Sequence, residues 1–194
     1  METLRKYINT ISPISDESWK EFKEILFTKK FSAGDVLCKY NCYPSKIYYS
    51  KKGYGRAFAI DNAGNEFNMI LYPPNRFMGS LSALTQKSRS NLEVQCLTDC
   101  EIICFNYQDL IKLVKKNNEF SRFYRKALEY YLLKLEKSNI RYVTLNATER
   151  YRLLKIEAPN IEKFVPQYHI ASHLGITPIQ LSRIRKKMLN IKKK

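Results

Sequence analysis

Between Pro166 and Lys187 the sequence leaves little conformational choice. Ile170, Ala171 and Leu174 recur at helical spacing, and Gly175 follows where a helix ending in a tight turn needs a residue tolerant of positive φ. Thr177-Pro178 then offers an N-cap and a first helical residue whose φ is already set. Ala171 is small where two helices would cross, Ile176 is an apolar plug for the turn, and Leu181, Ile184 and Met188 form the apolar stripe of a second helix. The block predicts two helices joined by a tight turn over roughly 167–187.

The polar face of the second helix carries Gln180, Arg183, Lys186 and Lys187, with Ser182 and Arg185 beside it. A helix bearing long basic and amide side chains can enter the DNA major groove, and the whole block reads as a helix-turn-helix. Arg183 is the leading candidate for a base edge, because guanidinium matches guanine bidentately, and Gln180 is the second. Thr177, Ser182, Arg185, Lys186 and Lys187 suit phosphates and register. Gln167, Tyr168, His169, Pro178 and Ile179 complete the expected DNA-binding set, His169 through a phosphate. His169 and His173 stand four apart, a spacing that can hold zinc, but no Glu lies between them in a His-Glu-x-x-His pattern and no third ligand is evident. No metal is expected.

Charge supports this reading through its distribution. Residues 1–106 hold 14 Lys+Arg and 11 Asp+Glu, whereas residues 107–194 hold 20 and 7. A polyanion such as double-stranded DNA gains sequence-independent affinity from such a field through counterion release. An anionic membrane surface would answer the same charge, but no apolar run approaches the roughly 18 residues of a membrane span. Met1–Lys6 lacks a signal-peptide pattern, so a cytoplasmic location without membrane association is expected. The five cysteines (Cys38, Cys42, Cys96, Cys100, Cys104) are odd in number and form no Cys-x-x-Cys pair, so reduced core thiols are expected.

The rest of the chain reads in three parts. Residues 3–28 are predicted helical, with Asp16 capping a helix from near Glu17. Short apolar runs then alternate with turn signals: Val36–Tyr40, Ile47–Ser50, Gly55–Ile60, Phe67–Leu71, Asn91–Cys96 and Glu101–Phe105. Their regular spacing predicts a sandwich or barrel, with a hairpin around Asp61–Gly64. Asn106 caps a helix to about Lys116, and a longer helix runs from about Glu119 to Tyr142. Phe120, Tyr124, Ala127, Tyr131 and Leu135 form one stripe on it, broadened by Phe123, Tyr130 and Leu133. Such a face needs burial on its own barrel, on a second copy, or on both. The expected division is a sensor domain over 1–116, a dimerisation helix over 117–145 and a helix-turn-helix domain over 146–194. No nucleophile–base arrangement, metal triad or phosphate-cradling glycine loop points to an enzyme.

The stretch Pro166–Pro178 with Leu181-Ser182-Arg183-Ile184-Arg185-Lys186-Lys187, together with Glu149-Arg150-Tyr151, resembles the Crp/Fnr family of bacterial transcription regulators, in the branch common in Bacteroidetes. The resemblance covers nearly the whole chain. It implies an α+β fold: a cyclic-nucleotide-binding-like jelly roll (a β-roll) with flanking helices, a long dimerisation helix, and a C-terminal helix-turn-helix. It further implies a homodimer, pseudo-palindromic DNA sites and RNA polymerase as an onward partner. A ligand-binding signalling module without DNA function is the competing expectation.

The sequence departs from that family in informative places. Cyclic-AMP-responsive members carry Gly-Glu at the phosphate-binding turn and Arg-Ser or Arg-Ala about ten residues later. Here the matching ligand-site positions read Gly79-Ser80-Leu81 and Ser90-Asn91, with Arg89 one residue away and expected to point off the site. Losing the Arg removes a charge-assisted phosphate contact, so tight cyclic AMP binding is not expected, no cofactor is assigned, and any other effector stays unidentified. Ile179 stands where many members are acidic. Oxygen sensing of Fnr type is not expected, because no cysteine precedes Phe31. Little or no C-terminal wing is expected after the second helix, only a basic tail, Lys192-Lys193-Lys194.

Overall fold

The computed structural model describes residues 1–191; the basic tail Lys192–Lys194, and with it the expectation about a wing, lies outside the described residues. Two helices open the chain, α1 (Glu2–Ile11) and α2 (Asp16–Glu24). The helical reading over 3–28 resolves into these two helices, with Pro13 holding Ser12 in extended backbone between them, and it stops at Glu24 ahead of a strand from Phe27. Ser15, not Asp16, caps α2: its hydroxyl accepts from the Ser18 amide at 3.2 Å.

Eight strands follow: β1 (Phe27–Phe31), β2 (Val36–Cys38), β3 (Lys46–Lys52), β4 (Gly55–Ile60), β5 (Glu66–Tyr72), β6 (Arg76–Met78), β7 (Glu93–Cys96) and β8 (Cys100–Asn106), with a short α3 (Leu81–Gln86) between β6 and β7. They form two four-stranded antiparallel sheets, ordered β1-β8-β3-β6 and β2-β7-β4-β5. The β4–β5 hairpin turns where Asp61–Gly64 predicts it. Strands β1 and β6 are absent from the sequence expectation. Phe27 and Phe31 are four apart, a helical spacing, and β1 is an edge strand held by backbone pairing to β8. β6 is too short to show a period.

The roll interior is filled by side chains from both sheets, among them Tyr48, Tyr72, Met78, Val94, Ile102 and the buried thiols Cys38, Cys96, Cys100 and Cys104; Cys42 is exposed. Strand β8 is buried on both faces, with Cys100, Ile102 and Cys104 facing the roll and Ile103 and Phe105 facing helices. That explains its unbroken apolar run.

Those helices are α1, α2, α4 (Tyr107–Lys116) and α5 (Asn118–Thr144). Here the expected dimerisation stripe divides. Phe120 and Phe123 are fully buried inside this copy, with Tyr124 and Ala127 packed against the same core; Tyr124 also meets the Tyr107 hydroxyl at 2.7 Å. Phe120 is therefore not an interface residue, since α1 and α2 already cover it. Farther along α5, Leu128, Tyr131, Leu132 and Leu135 line an open apolar groove.

Beyond α5 lie α6 (Ala147–Glu157), α7 (Ile161–Phe164), α8 (Gln167–His173) and α9 (Pro178–Ile191). Asn146 and Glu149 form a reciprocal capping box that starts α6. These helices share a third core, which also takes in Tyr54 and Leu71 of the roll.

Phe120 sits 5.6 Å, ring to ring, from Phe22. In urea unfolding, Phe120→Ala should cost about 3–5 kcal/mol, the usual loss for a core aromatic; a loss below about 1 kcal/mol would remove it from the core.

Candidate nucleic-acid interface

The two-helix block forms as its residues dictate. α8 ends at His173 with Leu174 as its C-cap, Gly175 takes φ +66°, and α9 begins at Pro178. A side chain at Gly175 would meet the Tyr142 hydroxyl at 2.8 Å, so the turn is sealed against α5 as well as requiring positive φ. Thr177 Oγ1 accepts from the Gln180 amide at 3.2 Å, and Gln180 Oε1 accepts from the Thr177 amide at 2.9 Å. Gln180, expected as a second base reader, thus has its carbonyl engaged in capping. Ile170, Ala171, Leu174 and Leu181 are buried against Tyr151, Leu154, Ile161 and Val165, with Ile176, Ile184 and Met188 packed at the edge.

With one side of α9 buried, the 3.6-residue repeat turns Ile179, Arg183 and Lys186 outward together, flanked by Ser182 and Lys187. All five are exposed, Ile179 at 67%. Thr177, Pro178 and Tyr168 are also exposed, and Gln167 is partly so. The expected phosphate contact Arg185 is instead drawn sideways. Its Nε lies 2.8 Å from Glu162, a carboxylate that also takes Lys155 at 3.1 Å and the Tyr151 hydroxyl. Arg185 ties α9 to α7.

His169 departs furthest from expectation. It is only 6% exposed and faces the β-roll, out of reach of any phosphate. Its Nδ1 lies 3.3 Å from Arg56 Nη1 on β4 and 3.1 Å from Asn68 Nδ2 on β5, and its carbonyl accepts from Asn68 Nδ2 at 3.1 Å. One residue-turn away, Ser172 Oγ accepts from the Asn68 amide at 3.0 Å. Arg56 completes its shell with Gln95 at 2.7 and 2.9 Å, Asn68 Oδ1 at 3.2 Å and Glu66 at 2.6 Å, and lies over the Phe58 ring. An Arg within the buried strand Gly55–Ile60 was the one sequence signal for this cluster, since buried charges need partners. Its partners, up to 113 residues away, carried none.

Residues 28–117 match the cyclic nucleotide-binding domain family. Three solved structures align along nearly the whole chain. The c-di-GMP responsive global regulator CLP of Xanthomonas campestris is 15% identical, with 92% of this chain and 93% of that one covered at a TM-score of 0.67. FixK2 of Bradyrhizobium japonicum is 13% identical over 87% and 86%, at 0.74. A Crp/Fnr-family protein from Eubacterium rectale is 13% identical over 91% and 84%, at 0.68. The chain shares the fold of these three structures. At these identities the likeness is one of architecture. No curated protein sequence matches the chain.

Within the roll, the positions expected to form a ligand site carry little charge. Ser80 and Ser90 are buried; Ser90 Oγ is used locally, donating to the Leu92 carbonyl at 2.6 Å. Leu81 is half-buried and Asn91 exposed. Arg89 points outward, donating to the Asn41 carbonyl at 3.2 Å and lying over the Tyr43 ring. Gly79 turns the chain into α3. Among the described residues no helix is long and apolar enough to cross a membrane, and no group of three metal-ligating side chains is present.

The His169 contacts carry a pH signature. Two N–H donors face Nδ1, so the imidazole must be neutral there. Burial first, and Arg56 second, push its pKa from 6.5 down to about 4, with Glu66 opposing. His173 on the same helix is also lowered by burial, with Glu157 and Arg150 of α6 nearby. Because the folded pKa lies below the unfolded one, the unfolded chain binds more protons between them. The contribution is complete above pH 6.5 and drains away as pH falls toward 4. The thermal midpoint should therefore drop on acidification across this window, and less steeply in His169→Gln; equal slopes would contradict the neutral-imidazole assignment.

Proposed function

We propose that this chain is a transcription regulator that binds a pseudo-palindromic DNA site as a homodimer, with α8 and α9 as its helix-turn-helix. The observation that carries this reading is the outward face of α9, where Ile179, Arg183 and Lys186 stand exposed on a helix whose other side is buried. Arg183 reads a base edge, Ile179 meets a thymine methyl, and Ser182, Lys186 and Lys187 hold phosphates. Thr177, Gln167 and Tyr168 flank the groove. The excess of basic residues beyond 106 supplies the general attraction. The apolar groove of α5 at Leu128, Tyr131, Leu132 and Leu135 seats the same helix of a second copy.

The regulator works without cyclic AMP. The phosphate-site positions Ser80 and Ser90 are uncharged, and Tyr48, Tyr72 and Met78 occupy the roll interior. Titration calorimetry with cyclic AMP should give no heat of binding at micromolar concentrations; a micromolar dissociation constant would overturn this point.

The DNA reading is tested on a duplex recovered by selection from random sequence. Arg183→Ala should lose about 1–3 kcal/mol of discrimination at one position in each half-site. Lys186→Ala should weaken all sequences alike and lower the salt slope by about one. Unchanged sequence preference in Arg183→Ala would remove Arg183 from base reading.

A further inference from the structure

We propose that Asn68 and His169, anchored by Arg56, are positioning residues for DNA recognition: they fix α8 at one place on the β-roll and thereby set the half-site spacing the dimer accepts. This inference rests on the DNA-binding reading above.

The C-terminal helices leave α5 through a short link at Leu145 and Asn146. What locates them on the roll is of two kinds. Tyr54 and Leu71 give apolar contact, with the Tyr54 ring stacked 5.2 Å from Phe164. Apolar contact is non-directional and tolerates sliding. The second kind is directional: Asn68 gives α8 its amide, at Ser172 Oγ, and its side-chain Nδ2, at the carbonyl and Nδ1 of His169. Hydrogen bonds weaken steeply with distance and angle, so a shift of α8 along β5 by even one residue would forfeit all three.

The anchor beneath them cannot follow such a shift. Arg56 is buried on β4 and held from its own sheet by Gln95, Glu66 and Asn68, so its bond to His169 Nδ1 has a fixed origin. Displacing His169 would cost Arg56 Nη1 one of its acceptors, with Glu66 and Asn68 left beside it, and would leave Asn68 Nδ2 without both of its α8 acceptors. The docked arrangement also leaves Ile179, Arg183 and Lys186 exposed, so it presents the DNA-reading face instead of covering it. A cluster that fixes α8 fixes α9 with it, and in a two-copy assembly the separation of the two α9 helices dictates the half-site spacing.

The test is selection from a random-sequence duplex library with the full-length protein and three variants. Wild type should enrich two half-sites at a single spacing. Asn68→Ala and His169→Ala should enrich the same half-site sequence, because α9 is untouched, but spread over neighbouring spacings. Their affinity for the wild-type spacing should fall about tenfold if the docked population falls to about a tenth. His169→Gln, whose amide oxygen can accept where Nδ1 does, should restore the single spacing. Should either alanine variant fold poorly, Ser172→Ala removes one bond from the same contact and should broaden the spacing to a smaller degree. Wild-type spacing retained in the alanine variants, or in Ser172→Ala where it replaces them, overturns the positioning role alone. A wild type that enriches no sequence overturns the DNA reading and the positioning role with it.

Discussion

Arg56 is a cation on the inner run of a β-strand, and the arrangement around it sets much of the rest. A guanidinium taken out of water must find partners for its fork of N–H groups or cost several kcal/mol. Gln95 and Glu66 supply part of that shell from the same sheet, and Asn68 and His169 supply the remainder. The last of these belongs to α8, so satisfying one buried charge in the roll also fixes where the C-terminal helices lie. His169 can play this part only as a neutral acceptor, which burial and Arg56 itself enforce.

A second constraint comes from α5. Its first turns are committed to the core of their own copy through Phe120 and Phe123, while its later turns present Leu128, Tyr131, Leu132 and Leu135 to solvent. The helix thus changes partner along its length. Tyr142, near its end, closes on the Gly175 turn, and Arg150 of α6 donates to the carbonyls of Tyr142, Leu145 and Leu174. Movement of α5 would therefore reach the two-helix block directly, independently of the Arg56 cluster.

Local features were legible from sequence because their causes are local. Gly175, Thr177 and Pro178 each determine backbone within a residue or two, and the apolar stripe of α9 has one period. The β4–β5 hairpin was readable for the same reason. The alternation of strands and turns pointed to a sandwich or barrel, except for β1 and β6, one with a misleading four-residue spacing and one too short to have a period. What could not be read was any polar residue whose partner lies far along the chain. In the sequence His169 and Arg185 look like free basic side chains, yet Asn68 and Arg56 claim the first and Glu162 the second. Phe120 showed the same ambiguity in apolar form: periodicity placed it on a stripe, but not which neighbour would cover it.

If α8 docks on the roll as proposed, two copies hold their α9 helices at one separation in the free protein. A spin label on Ser182→Cys, an exposed α9 position, in a background where Cys42→Ser removes the exposed native thiol, measures that separation by pulsed dipolar spectroscopy. A fixed docking of α8 should give a single narrow distance distribution near one turn of B-DNA, about 34 Å. No dipolar coupling, or a distribution spread over tens of ångströms, would contradict it.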